Sequence, residues 1–124
     1  MIDNETYDKL LLETFETVTK LGKLKGGEYS GDHDRLANFR RNCIDLRLPM
    51  EVIWRIYAAK HWDAIGQYIK DTAAGRPPRP RMETLAGRAD DLIVYLILFK
   101  AILIERGRSD PAFGIPTEAE LNAY

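Results

Sequence analysis

Apolar residues in this chain recur at three- and four-residue intervals, and that period predicts α-helices almost throughout. Tyr7, Leu10, Leu11, Val18 and Leu21 trace one stripe, with Asp3 and Asn4 placed to cap it. This first helix is expected to run to about Lys23 and to stop at Gly26-Gly27. Residues 26–34 hold three glycines and no period, so a loop is expected there. Asp32 or Asp34 can cap a second helix whose inward stripe is Leu36, Phe39, Cys43 and Leu46. Leu48-Pro49 restarts the chain, because proline fits a first helical turn, where its missing N–H costs nothing. A third helix follows to about Thr72. Its first half is apolar on most sides (Val52, Ile53, Trp54, Ile56, Tyr57), which predicts a central position.

Three prolines between Gly75 and Arg81 demand an extended or turned connection. A fourth helix is expected from about Thr84 to Arg106, ended by Gly107. Residues 92–99 could form a buried strand, but the apolar run continues to Ile104 without a turn signal, and that length favours helix. Thr117 and Glu120 form a capping box for a short last helix. The expected fold is all-α: one four-helix, bundle-like domain over residues 1–107, then a tail with a short helix over 108–124.

Composition narrows the function. The net charge is −1, which speaks against a protein that coats nucleic acid. A helix-turn-helix could be drawn across residues 42–60, but its second helix is too apolar to read a groove, so DNA is not an expected partner. The single cysteine, Cys43, cannot close an intrachain disulfide, and with only His33 and His61 beside it a Cys/His zinc site is not expected. The acidic, polar first residues do not read as a signal peptide. The longest apolar stretch, residues 92–104 with Lys100 inside it, falls short of the roughly 20 residues that span a bilayer. A cytoplasmic protein, with no membrane partner, is expected.

Candidate chemistry lies in four places. Glu83, Gly87, Asp91 and Tyr95 are spaced by four along the fourth helix, with Asp90 beside them. Carboxylates so spaced can hold a hard cation, and a glycine among them would let a ligand approach the backbone. Equally, acids in the first turns of a helix simply suit its dipole. Asp91 has apolar neighbours and needs a partner, for which Arg88 is well placed. In Lys60-His61-Trp62-Asp63, polar groups interrupt an apolar helix. Lys60 could meet a phosphate, His61 could bind phosphate or carry a proton, and Asp63 could join a metal site; the alternative is a Lys60–Asp63 ion pair beside a packed histidine. The glycine-rich loop lacks the Gly-Lys-Ser/Thr of a P-loop, though Tyr29 could stack on a base. Arg76, Arg79 and Arg81 could fork onto phosphates, or merely solvate a connector.

In order along the chain stand Lys25-Gly26-Gly27-Glu28-Tyr29-Ser30-Gly31, Leu36-Ala37-Asn38-Phe39, Lys60-His61-Trp62-Asp63, Glu83-Thr84-Leu85-Ala86-Gly87-Arg88 and Asp91-Leu92-Ile93-Val94-Tyr95. Over roughly residues 20–105 this order resembles small phage and prophage proteins related to the nucleotide-modification-associated domain. That domain is a remote relative of the MazG-like, all-α nucleoside triphosphate pyrophosphohydrolases. The resemblance implies a nucleotide or other phosphorylated small molecule as partner, a Mg²⁺ cofactor, and pyrophosphohydrolase activity in the host cytoplasm. It implies Asp63, Glu83 and Asp91 as the catalytic, metal-holding acids. Lys60 and His61 would contact phosphate, and Glu28, Tyr29, Asn38, Arg88 and Tyr95 would complete the nucleotide site. The sequence departs from the MazG-like pattern in having no Glu-x-x-Glu on the third helix and Gly87 in place of an acid on the fourth. A binder that sequesters a nucleotide signal or a host protein, or an assembly protein, is the alternative. A small helical domain also tends to cover leftover apolar surface by self-association, so a homo-oligomer is expected.

Overall fold

The computed structural model of the protein describes residues 1–30 and 33–107, and for residues 26–30 the backbone only. Four helices follow in order: α1 (Asn4–Ser30), α2 (Ala37–Leu46), α3 (Met50–Ala73) and α4 (Leu85–Gly107). No strand occurs among the described residues, and the stretch from Leu92 onward is helical. The domain is thus an all-α, bundle-like fold. The expected short helix after Gly107 and the capping role of Asp32 lie outside the described residues.

α1 begins where its cap predicts, with Asp3 Oδ1 accepting the Thr6 N–H at 2.7 Å. It does not stop at Gly26-Gly27 but continues to Ser30. Each helical glycine costs only about 1 kcal/mol, which neighbouring helical hydrogen bonds can outweigh. α2 has Leu36 at its N-cap with no side-chain cap hydrogen bond; Asp34, expected as a cap, instead accepts the Leu36 N–H in the turn just before the helix. The helix ends at Arg47, which takes the left-handed conformation with φ 54°. Pro49 stands at the N-cap of α3, just before the first turn in which it was expected, and the helix begins at Met50. Thr84 caps α4, its hydroxyl accepting the Gly87 N–H at 2.9 Å. That contact gives Gly87 a structural reason: a Cβ there would sit 3.0 Å from the Thr84 hydroxyl.

The core gathers Leu36 and Phe39 from the start of α2, Met50 and Ile53 from α3, and Ile102 from α4. Trp54 packs on Phe99 with ring centroids 5.0 Å apart and donates its indole N–H to the Tyr95 carbonyl. α3 is central, as its composition suggests, packing on both α2 and α4, though Val52 and Ile56 stay exposed while Ile53 and Ala58 turn inward. α4 in turn packs on both α3 and α1. Two clips cross the outside, Arg40 to Asp34 and Glu105, and Arg106 to Glu51. Such exposed pairs contribute little individually.

The proline-rich connection is pinned by a residue that sequence reasoning missed. Asp71 is 2% exposed and draws in Gln67, Arg76 and Arg79. Burial pushes its carboxyl upward in pKa, but hydrogen bonds from Gln67, Arg79 and Arg76 outweigh burial and hold it below the usual value. Arg81 lies over the Tyr68 ring, 5.7 Å from its centroid. Two of the loop arginines are therefore counterions of a buried carboxylate.

Two outcomes test this account. Ile102→Ala, at a side chain 1% exposed, should lower urea-derived stability by roughly 2–5 kcal/mol. Asp71→Ala should release the connection, so that trypsin cuts the native protein faster after Arg81; an unchanged cutting rate would show that Asp71 does not hold the loop.

Candidate functional site

α1, α2, α3 and α4 enclose a pocket of about 610 Å³. The turns around Val18 and Gly22 supply one wall and α4 the opposite one. The apolar part of the lining includes Phe39, Val94 and Leu98. Polar and charged groups join it from every helix. Lys23 and Lys25 come from α1, Asn38 from α2, Lys60 and His61 from α3, Asp91 and Tyr95 from α4, and Arg35 stands just before α2. Among the described residues the lining thus holds four cations and one carboxylate, with Lys25 paired to that carboxylate. Such an imbalance concentrates positive potential in a low-dielectric cleft.

Asp91 lies one and a half turns into an apolar helix and is 8% exposed. A carboxylate there must be neutralised. Lys25 does so from across the molecule, its ammonium 2.5 Å from Asp91 Oδ1. Arg88, the partner suggested by sequence spacing, points elsewhere. Its guanidinium lies 3.1 Å from His61 Nδ1 and 3.4 Å from Glu83 Oε2.

His61 is 2% exposed and stacks obliquely near Tyr95, with ring centroids 5.5 Å apart. Arginine only donates hydrogen bonds, so Nδ1 accepts from Arg88 and the ring proton sits on Nε2. Burial, the largest influence, lowers the histidine pKa; Asp91 opposes this, while Lys60, Arg88 and Lys25 reinforce it. The ring is therefore neutral near pH 7. Its 3.7 Å approach to Asp91 Oδ2 is a contact of a neutral imidazole, because an ion pair there would need the very proton that Arg88 excludes.

The expected residues divide as follows. Asn38, Lys60, His61, Asp91 and Tyr95 line the pocket together. Glu83 and Arg88 line a smaller neighbouring cleft of about 420 Å³ and reach the pocket through His61. Asp63 does not join them. It is exposed, and two helical steps turn it about 200° away from His61 around α3. No ion pair links it to Lys60 among the described residues. Glu28 and Tyr29 fall in the last turns of α1 instead of a loop, and their side chains lie outside the described residues. Sequence reasoning left Lys23 and Arg35 out of the site and quoted Lys25 only within a motif; the signal was the set of lysines, Lys20, Lys23 and Lys25, that precedes the glycines.

His61, Glu83 and Asp91 bring one potential ligand atom each to within 4.8 Å of one another. The donor set is mixed, and Mg²⁺ strongly prefers oxygen. All three residues are also engaged by Lys25 or Arg88. The residues present therefore do not fit Mg²⁺ as they stand. No described helix is long and apolar enough to cross a membrane.

The buried neutral histidine sets a pH dependence. The folded chain binds the His61 proton less readily than the unfolded chain, whose value lies near 6.5. Its contribution to stability is thus complete above about pH 6.5 and declines as pH falls below it. Urea unfolding at pH 7.5 and 5.5 should show this loss, and His61→Gln should remove it; equal slopes in both proteins would refute it.

No protein-family model, curated protein or solved structure significantly matches this chain.

Proposed function

We propose that this chain binds a nucleotide, or another phosphorylated small molecule carrying a flat ring, in the pocket between its helices. The observation that carries the reading is the gathering of Lys23, Lys25 and Lys60, with Arg35 beside them, in one pocket lined also by Phe39, Tyr57 and Tyr95, where Asp91 is the one carboxylate among the described lining residues. Lysine offers a compact positive charge to phosphate, and arginine a planar fork. Aromatic rings offer a face or edge to a base. His61, neutral and protonated on Nε2, is a hydrogen-bond donor without a charge. Asn38 supplies an amide that can meet a sugar or a base edge.

Hydrolysis is the second reading, favoured by the proximity of His61, Glu83 and Asp91. It ranks second because Mg²⁺ would have to be held by groups that Lys25 and Arg88 already engage. The two readings separate when the protein is incubated with ribo- and deoxyribonucleoside triphosphates, with and without Mg²⁺ or Mn²⁺. Recovery of intact nucleotide together with saturable binding supports the binder. Metal-dependent release of a monophosphate would establish the hydrolase instead.

Gly22 gives a sharper test. It lines the pocket, and a Cβ there would meet nothing within 4 Å. Gly22→Leu should fill the pocket without a clash and improve helix propensity, by up to about 1 kcal/mol. Nucleotide affinity should fall at least about tenfold while thermal stability holds or rises. Undiminished affinity would place the ligand elsewhere.

Self-association belongs to the same proposal. Tyr7, Leu10, Leu11 and Phe15 continue the stripe that buries Val18, yet they are 55, 54, 44 and 62% exposed. The α1 segment 3–16 carries five acids and one lysine, and the segment 17–25 carries three lysines and no acid. Antiparallel pairing of two α1 helices covers the stripe and brings the acidic start of each towards the basic half of the other. Sedimentation should show a dimer that Leu11→Glu converts to a folded monomer; a monomeric parent protein would sink the pairing.

A further inference from the structure

We propose that Lys25 and Arg88 stand in for a divalent cation, so that the pocket takes its anionic ligand without a bound metal. The ligand half of this statement rests on the function proposed above; the metal half rests on the side chains alone.

His61, Glu83 and Asp91 have the closeness of a metal-ligand set, with one donor atom from each inside 4.8 Å. What surrounds them decides how that set is used. Lys25 Nζ lies 2.5 Å from Asp91 Oδ1. Arg88 reaches His61 Nδ1 at 3.1 Å through one nitrogen and Glu83 Oε2 at 3.4 Å through another. Every member of the set is therefore already a partner of a protein cation. Two carboxylates face one ammonium and one guanidinium, and the imidazole between them is neutral. The group is balanced.

A divalent ion could enter in two ways. It could add to the balanced group, placing two further positive charges beside Lys60 in a half-buried cleft, where repulsion is poorly screened. Or it could evict both side chains, leaving two cations to be rehoused next to it. Either route has to overcome the two protein cations already in place on these ligand atoms.

The electrostatic service of a metal at a phosphate site is to neutralise charge and fix orientation. Lysine and arginine provide both, arginine with directed N–H donors. Lys25 and Arg88 are reachable, with side chains 38% and 22% exposed. They arrive from different elements, α1 and the start of α4: Lys25 lines the pocket itself, and Arg88 lines the neighbouring cleft and meets the pocket through His61.

Mn²⁺ titration of the purified protein, followed by electron paramagnetic resonance and calorimetry, tests the metal half directly. The expected result is no saturable binding below about 1 mM in the parent protein. Lys25→Met with Arg88→Met, confirmed as folded by circular dichroism, should bind Mn²⁺ at least about tenfold more tightly, because the acids are then unmatched. Micromolar Mn²⁺ binding by the parent, lost in Asp91→Asn, overturns the proposal. If the double variant does not fold, the parent titration decides alone. In parallel, binding of the nucleoside triphosphate panel is measured in EDTA and in Mg²⁺. Equal affinity within about twofold supports the proposal, and tight binding only with Mg²⁺ overturns it while leaving the nucleotide reading intact. Absence of nucleotide binding in both conditions defeats the nucleotide reading, and the Mn²⁺ result then judges the metal half by itself.

Discussion

A carboxylate set into an apolar helix has to be neutralised, and much of this molecule follows from how Asp91 meets that demand. Its counterion is Lys25, 66 residues away in sequence and on a different helix. The pair joins α1 to α4 at the depth of the pocket. Without it, the described part of α1 would be held mainly by Val18 and the half-buried residues that follow it. The pocket wall formed by Lys23, Lys25 and Gly22 depends on that attachment. So does the concentration of positive charge that distinguishes the cleft from an ordinary gap between helices.

The same demand explains the placement of Arg88. Once Asp91 is satisfied from the far side, the guanidinium is available to His61 and Glu83. Its donation to Nδ1 fixes the histidine as neutral and directs the proton to Nε2. Burial alone would lower the histidine pKa, but the arginine makes the tautomer specific. A pocket built this way has its charge set by tertiary contacts, and Lys25 and Arg88 are oriented by their partners before any ligand arrives. Preorganised groups lose less freedom on binding than groups recruited from solution.

Helix positions were legible in the chain because each is a local property. The cap at Asp3, the helix start near Thr84, the break at Leu48-Pro49 and the length of the last apolar run all act within a few residues. Where sequence reading failed, the deciding partner was remote. Arg88 looked like the counterion of Asp91 at three-residue spacing, but Lys25 outcompeted it, and no local pattern shows that. Asp71 drew no notice in the sequence, yet the fold buries it and pairs it with Arg76 and Arg79. Gly26-Gly27 looked like a stop, since glycine permits one. Permission is not compulsion, and the helix ran on. Asp63 shared a motif with His61 but not a face, which helical geometry could already have warned of. The pocket residues Lys60, His61, Asp91 and Tyr95 were legible for a plain reason. Polar groups inside apolar helices stand out against the pattern, and the fold brought those four together.

α1 carries two different kinds of surface on one stripe, and the boundary between them is informative. From Val18 onward the stripe is covered by the domain's own helices; before it, Tyr7, Leu10, Leu11 and Phe15 remain largely exposed. A helix hydrophobic on one face along its whole length, but buried along only half, is more apolar than its own domain requires. The excess is not spread at random, because it continues the line of the buried half without changing register. The charge pattern switches at the same place, from acidic to basic. Attachment of α1 through Lys25 and Asp91 therefore fixes the direction in which the uncovered half extends. Whatever covers that half is held in a defined relation to the pocket by one continuous helix.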